Sequence, residues 1–265
     1  MSLTRTLLLP LTDLTRQQIR DYLLKEIERY IRDCLANRAL LERQPFHARL
    51  MPTLFGVPFS ERSFSTRSGN WFQSMARLVA TQYHKEAAIG HRVTGEIQPA
   101  AETLIRDWVE QMKAAAPERA KPKREDDLKR ILASQFATGG VRRTVISDLF
   151  VRTHDDQELY FEMKTVAPNL DTSEKMKRRI LTITALRYQS DAKAYASMAY
   201  NPAGEGNPYS DYPDSRYALQ FLELNADLLV GRPFWTMIGD ENTYDELLKI
   251  SEEVGHATAH LLPQP

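Results

Sequence analysis

The sequence has a single cysteine, Cys34, among its 265 residues. One thiol excludes an internal disulfide framework and a metal site built from a cysteine cluster. Cys34 is therefore predicted to be a buried apolar filler on a helix. The apolar runs are also short: none approaches the about 20 residues of a membrane span, and the run within the first ten residues is too short for a signal peptide. We expect a cytoplasmic protein that makes no membrane contact.

Neither sign of charge is in excess, because 35 Lys and Arg balance 35 Asp and Glu and give a formal net charge of +0. The chain thus lacks a global electrostatic footprint for nucleic acid. A local basic patch offset by acidic residues elsewhere remains compatible with this balance, so charge alone neither establishes nor excludes a nucleic-acid substrate. Walker, H-E-x-x-H and G-x-S-x-G motifs are absent. His84 and His91, seven positions apart, are more typical of surface or core residues than of metal ligands.

Two neighbouring apolar segments, 144–151 and 158–165, are predicted to form a pair of strands joined by a polar turn. Side chains alternate between the two faces of a strand. One face then carries Val145, Ser147, Leu149 and Val151 on the first strand and Leu159, Phe161 and Met163 on the second. The opposite face carries Asp148 on the first strand and both Glu162 and Lys164 on the second.

The length of the turn decides whether these three charged residues meet. A strictly two-residue turn at Asp155 and Asp156 would place Asp148 opposite Met163, with the charges on opposite faces. A three-residue loop or a bulge places Asp148 opposite Glu162 or Lys164, and bulges are common beside active sites. The sequence therefore predicts an odd-length loop or a bulge.

An acidic residue on one strand and Glu-x-Lys on the next is typical of metal-dependent phosphodiester hydrolysis. Two carboxylates can hold Mg²⁺ through oxygen, and a lysine beside them can orient or deprotonate the attacking water. A Glu-x-Lys triplet alone is frequent by chance, and charges on a strand usually mark a solvated face. The matching Asp148 strand, the shared apolar face and the basic segment that follows favour the catalytic interpretation.

Periodicity predicts the rest of the chain coarsely. Helices are expected at 15–40, with Thr15 and Gln18 forming a capping box, at 70–88, from Pro99, at 125–136, from 171 or 172 to 189, and at 242–254. A charged, proline-containing linker covers 115–125, a third strand 192–200 and a turn-rich loop 201–214. Helices before a mixed sheet indicate an α/β or α+β fold. We expect a mainly helical region, 1–120, packed on a core, 121–265, within one compact domain.

Basic side chains in a polar loop at 59–69, just before the Asp148 strand and on the helix after the Glu-x-Lys strand are candidates for contact with DNA phosphates. They are Arg62, Arg67, Arg142, Arg143, Lys175, Lys177, Arg178 and Arg179. For the last four residues, the alternative is a solvated helical face, and Asp171 and Glu174 reduce the basic character of this segment. For Arg62 and Arg67, simple exposure is about as plausible as DNA contact.

The order of a helix, a strand with Asp148, a strand with Glu162-x-Lys164, a helix and a strand resembles the core of PD-(D/E)xK nucleases. It departs from the motif because Ser147, not proline, precedes Asp148. A narrower resemblance is to type II restriction endonucleases of the TdeIII-like group and spans about 60–240. It rests on the segments 62–67, 69–71, 162–169 and 195–202.

The resemblance implies a restriction-endonuclease-like mixed central sheet flanked by helices. It also implies a homodimer that uses Mg²⁺, with Mn²⁺ able to substitute, to cut both strands of a near-palindromic site in double-stranded DNA. Asp148 and Glu162 would hold the metal and Lys164 would position the water. An acidic residue from an earlier helix is often added; Gln73 stands near that position, and Glu86 and Glu96 are the nearby acids. A repair or structure-selective nuclease, and a non-catalytic DNA-binding protein, remain alternatives.

Overall fold

The computed structural model of the protein describes residues 10–36, 61–115, 122–135, 139–164 and 168–261. These residues form a five-stranded mixed sheet with helices packed on both faces. The predicted α/β class, with helices flanking a mixed central sheet, is confirmed. Among the described helices, none is both long enough and apolar enough to cross a bilayer.

The helices and strands alternate through most of the chain. They are α1 (Asp13–Ala36), α2 (Glu61–Tyr83), β1 (Glu86–Ile97), α3 (Pro99–Ala114), α4 (Arg124–Ala133), β2 (Val141–Arg152), β3 (Glu158–Lys164), α5 (Leu170–Leu186), β4 (Lys193–Met198), α6 (Ser215–Phe221), β5 (Leu228–Val230), α7 (Arg232–Ile238) and α8 (Thr243–Thr258). Short 3-10 turns cover Tyr209–Asp211 and Ala259–Leu261. The predicted strands at 144–151, 158–165 and 192–200 are confirmed as β2, β3 and β4.

The strands lie in the order β1-β2-β3-β4-β5. The pairs β1–β2 and β2–β3 are antiparallel, whereas β3–β4 and β4–β5 are parallel. A parallel pair needs a long crossover, and α5 supplies it between β3 and β4. Because β1 pairs with β2 along nearly its whole length, the predicted regions 1–120 and 121–265 share one sheet.

Each face of the sheet buries its own hydrophobic core. The first core contains Phe161 of β3 and Trp235 of α7, together with apolar residues of α1, α2 and α8. The second core contains Tyr160 of β3 and Ile180 of α5, together with apolar residues of α3 and α6. Burying one such side chain contributes about 1.5–3 kcal/mol. The alternation along β3 thus fixes which side of the sheet every β3 side chain reaches.

Three sequence predictions about local structure are corrected. Helix α1 is capped by Thr12, not Thr15, because the Thr15 N–H donates to Thr12 Oγ1 at 3.2 Å. Helix α2 starts at Glu61, ends at Tyr83 and gives way to β1, a strand that the sequence did not indicate. Residues 215–230, for which the sequence analysis predicted no element, contain α6 and β5. Cys34 lies in α1 as predicted, with its side chain outside the described part of the structure.

The predicted odd-length loop between β2 and β3 is confirmed. Phe150 pairs with Tyr160, and Arg152 pairs with Glu158. The same register, continued along the strands, places Asp148 opposite Glu162. The Thr153 N–H donates to the Gln157 carbonyl at 3.0 Å and closes a three-residue loop. Asp156 in this loop has φ 64, the left-handed conformation that such loops require.

The pairing of β1 with β2 is interrupted beside Asp148. The β1–β2 register runs from Ile89 opposite Leu149 to His91 opposite Ser147 and skips Gly90, whose φ is 63. Beyond this irregularity Val145 packs against the second core, although it was predicted to share the face of Leu149 in the first. The interruption re-aims the side chains on either side of Asp148, as bulges do.

Candidate active site

Asp148, Glu162 and Lys164 meet at the end of β3, on the side of the sheet that α5 covers. The Lys164 ammonium donates to Glu162 Oε1 at 2.9 Å and lies 3.8 Å from Asp148 Oδ2. The prediction that these three side chains share one face is confirmed. One lysine therefore lies between two carboxylates that come from different strands.

The backbone holds Asp148 in place. The Met163 N–H, on the neighbouring strand, donates to Asp148 Oδ2 at 2.8 Å. The wholly buried Ser147 hydroxyl donates to the Leu149 carbonyl at 2.8 Å and lies 3.2 Å from the Phe161 carbonyl. These bonds satisfy the buried hydroxyl and tie the residues on either side of Asp148 to each other and to β3, so they stabilise the position from which Asp148 projects.

Glu162 is held by two cations. Its Oε1 accepts from Lys164, and its Oε2 accepts from the Arg179 guanidinium of α5. The Glu162 side chain is only 7% exposed, whereas Arg179 is 37% exposed. The carboxylate thus lies inside the fold with one positive partner on each oxygen, and Arg179 closes the site toward solvent.

Burial raises the pKa of Asp148 above its ordinary value, and the adjacent Glu162 charge acts in the same direction. Lys164, the Met163 N–H and Arg179 oppose the rise. The main cause is desolvation of a carboxylate beside a second carboxylate. A positive charge close to both acids opposes this rise, and Lys164 and Arg179 supply such charge.

The basic residues of α5 do not share one face. Lys177 was predicted to contact DNA, and this is corrected because its side chain is wholly buried. Its ammonium lies 2.5 Å from Asp127 Oδ2 and 2.6 Å from Asp227 Oδ2. Arg124 donates to the other oxygen of Asp227 at 3.0 Å. We call these four residues the buried charge network; it anchors α5 to α4 and to the chain before β5.

The other predicted DNA-contact residues are spread over the surface. Arg178 pairs with Glu174 at 2.9 Å, and Lys175 is exposed one turn earlier. Arg143 pairs with Glu102 at 2.6 Å on the α3 side of β2, and Arg142 is exposed on the opposite side. Their part in DNA binding stays a prediction.

Near the N-terminus, Arg67 pairs with Asp33 at 2.7 Å and lies over the Tyr30 ring at 5.3 Å. These contacts tie α2 to α1. The side chain of Arg62 falls outside the described part of the structure.

Neither acid considered as an addition to the site lies beside it. Glu86 is opposite Arg152, four residues along β2 from Asp148 or about 13 Å, and pairs with Arg152 at 3.3 Å. Glu96 is opposite Arg142, six residues away or about 20 Å. Gln73 lies on α2, half-buried, and no hydrogen bond among the described residues joins it to the three charged side chains.

The donor set fits a hard divalent cation that retains other ligands. Among the described residues, no group of three or more His, Cys, Asp and Glu side chains could enclose a metal ion. Mg²⁺ is usually held by one or two carboxylates, with water and substrate phosphate completing its shell. Asp148 and Glu162 match that requirement, since both are acid oxygens and burial favours a counter-charge between them.

The comparisons with known proteins agree with this architecture. A model of the type II restriction endonuclease HinfI family matches residues 13–255. The type II restriction enzymes HgiEI and HgiBI of Herpetosiphon aurantiacus are 29% and 28% identical to this chain, over 95% of it and 97% of their own length. HgiCII of the same organism is 29% identical over 80% of this chain and 77% of its own.

The fold and the length of these matches define a nuclease of a restriction system. The chain belongs to the HinfI family of type II restriction endonucleases. It is a site-specific endonuclease that acts on DNA. The narrower resemblance suggested by the sequence was to the TdeIII-like group, whereas the family model that matches is that of HinfI.

Sequence reasoning missed two functional features of α5. Arg179, predicted only as a contact for DNA phosphates, also contacts Glu162. Lys177 was grouped with Arg179, although side chains two positions apart on a helix point about 200° away from each other. The signal that could have separated them is helical periodicity, since Lys177 lies between the buried Ser173 and Leu181 at intervals of four.

Proposed function

We propose that this restriction endonuclease cleaves DNA through a PD-(D/E)xK centre made of Asp148, Glu162 and Lys164. The observation that supports the proposal is the position of the Lys164 ammonium, 2.9 Å from Glu162 and 3.8 Å from Asp148. Asp148 and Glu162 would hold Mg²⁺, for which Mn²⁺ can substitute. When bound, the ion would polarise the scissile phosphate and favour the ionised form of the attacking water.

The chain's own residues orient the reactants. Lys164 presents N–H donors at the mouth of the site, where they can orient the attacking water and stabilise charge that develops on the phosphate. The Met163 N–H keeps the Asp148 carboxylate turned toward Lys164. The first and second cores fix β2 and β3, so the three side chains are held on rigid elements before the DNA arrives.

Cleavage of phage DNA tests the metal requirement. With Mg²⁺ we expect discrete fragments, with Mn²⁺ we expect the same fragments, and with EDTA we expect intact DNA, because two carboxylates alone supply no Lewis acid. Gel electrophoresis followed by end sequencing measures this outcome. Discrete fragments in EDTA would overturn the metal requirement, and a smear in Mg²⁺ would favour the less specific nuclease that the sequence left as an alternative.

The DNA-binding surface that we propose includes the part of the β1–β2 pair that extends past Asp148, on the face opposite the second core. Residues 91–97 of β1 pair with 141–147 of β2, beyond the point where β3 joins the sheet. Val93 and Ile97 are buried on one face of this ribbon, so Arg92 and Arg142 lie on the other, together with exposed Ile146. Both arginines are exposed, and neither has an ion pair with any described residue.

Replacing these two arginines is expected to weaken DNA binding. In Arg92→Ala/Arg142→Ala, the slope of log K against log salt should fall by about two, since about one counterion is released for each phosphate contact. Fluorescence anisotropy with a DNA duplex at several salt concentrations, in the presence of EDTA, measures the slope.

The matched control is Arg143→Ala, which alters the opposite face of the same strand. Arg143 is already paired with Glu102, so a smaller change in slope is expected. An unchanged slope in the double variant, or a larger change in Arg143→Ala, would place the DNA on the other side of the ribbon.

The proposal includes two features of the working enzyme. A near-palindromic site is read most simply by a protein with a two-fold axis, so we propose a homodimer. Because the DNA substrate lies inside the cell, we also propose a cytoplasmic location. Arg62, Arg67, Lys175 and Arg178 remain candidates for further phosphate contacts.

A further inference from the structure

Arg179 holds a place in the site that neither the sequence motif nor the family match assigns. It reaches from α5, across the second-core side of the sheet, to Glu162 Oε2. Lys164 occupies the other oxygen of the same carboxylate. Asp148, Glu162, Lys164 and Arg179 thus form a cluster of two acids and two bases, which is neutral when all four are charged.

This balance affects a divalent cation directly. A cation that enters a cluster of net charge −2 is attracted to it. A cation that enters a neutral cluster is repelled by the two bases already present and must displace them to reach the carboxylates. Lys164 belongs to the Glu-x-Lys motif, and Arg179 supplies the second positive charge. Arg179 also acts on Asp148, since its charge is among the groups that lower the pKa of that carboxyl.

We propose that Arg179 is a positioning residue that holds Glu162 before DNA binds and keeps the DNA-free site weak for divalent cations. A DNA phosphate entering the site brings negative charge, which pairs with the exposed part of Arg179 and offsets the charge of the metal. Metal binding is thereby coupled to the arrival of substrate. This inference rests on the proposed function, because it requires that Asp148 and Glu162 hold the metal.

The direction of the effect separates this role from a purely structural one. If Arg179 only braced α5 against β3, its loss would loosen Glu162 and weaken metal binding. If it opposes the metal, its loss strengthens metal binding in the absence of DNA. The two roles therefore predict opposite changes in one measured affinity.

The experiment is a titration of the full-length, DNA-free protein with Mn²⁺. Electron paramagnetic resonance measures the concentration of the free ion at each step. Arg179→Gln is expected to bind Mn²⁺ at least about tenfold more tightly than the wild type, from removal of one nearby positive charge. Arg179→Lys, which keeps the charge, should stay near the wild type. Arg178→Gln, the neighbour that pairs with Glu174, is the matched control and should also stay near the wild type.

A second background separates failure of this inference from failure of the proposed site. In Asp148→Asn/Arg179→Gln, the gain in Mn²⁺ affinity should disappear. A gain that persists there would show that the ion binds elsewhere and would overturn the proposed metal site. Unchanged or weaker binding in Arg179→Gln, with Mn²⁺ affinity still dependent on Asp148, would leave the metal site standing and overturn the role of Arg179. Circular dichroism confirms that each variant is folded.

Discussion

Asp148→Asn is expected to reduce the rate of DNA cleavage by about 10³-fold or more, equivalent to about 4 kcal/mol of transition-state stabilisation. The amide is nearly the same size as the carboxylate, and its oxygen can still accept from the Met163 N–H, which donates to Asp148 at 2.8 Å. The substitution therefore removes the negative charge and leaves the local geometry in place. Glu162→Gln and Lys164→Met should cause losses of the same order. The measurement is single-turnover cleavage of a plasmid in Mg²⁺.

Asp126→Asn is the matched control, because this carboxylate is exposed on α4 and lies away from the site. Its cleavage rate should equal that of the wild type. Thermal unfolding should show that the three site variants remain folded, and DNA binding in EDTA should persist. Wild-type cleavage in Asp148→Asn would remove it from the catalytic centre, and loss of folded protein in all three would make the cluster structural.

The hairpin that carries the site could be predicted because its geometry is local. Alternation along two short strands placed Asp148, Glu162 and Lys164 on one face, and the loop between Thr153 and Gln157 has the odd length that this requires. Side-chain period and turn length together determine register, so a one-residue error would have moved every charge to the other face. The side-chain period follows from the sequence alone, whereas the odd loop length was inferred because only that length lets the three charged residues meet.

Strand β1 could not be predicted by the same reasoning. Its segment contains Gly90 and Gly95, which lower strand propensity, and the residues before it continue a helical pattern from α2. The strand is stabilised by pairing with β2, about 50 residues later in the chain, which is a tertiary contact. Consequently the irregularity at Gly90, which lies opposite Asp148, was not foreseen.

The charges of α5 show why side-chain roles were harder to assign than elements. Lys177 pairs with Asp127, 50 residues earlier, and with Asp227, 50 residues later, partners that no local pattern identifies. Arg179, on the crossover helix α5, contacts Glu162 on β3. The sequence indicated correctly that a basic helix follows the Glu-x-Lys strand, but the fold decides which bases face the interior, the site or solvent.

Lys177→Met is expected to lower the free energy of unfolding by about 3–5 kcal/mol, because it leaves two buried carboxylates without their shared cation. Methionine keeps most of the stem volume, so the loss comes from the charge and not from a cavity. For a chain of this size the melting temperature should fall by roughly 10 °C. Denaturant unfolding and calorimetry measure both quantities. Lys175→Met, an exposed position on the same helix, is the control and should change stability by less than about 0.5 kcal/mol.

A double variant tests whether the buried charge network is the cause. Removing the stranded charge in Lys177→Met/Asp127→Asn should recover part of the loss, since Asp227 keeps its bond from Arg124 at 3.0 Å, and the amide oxygen introduced at position 127 can still accept from Trp108. Unaltered stability in Lys177→Met, combined with weaker DNA binding, would instead return Lys177 to the DNA surface. The expected result assigns it to stability: Lys177 fixes α5 against α4 and the chain before β5, and that anchorage places Arg179 at Glu162.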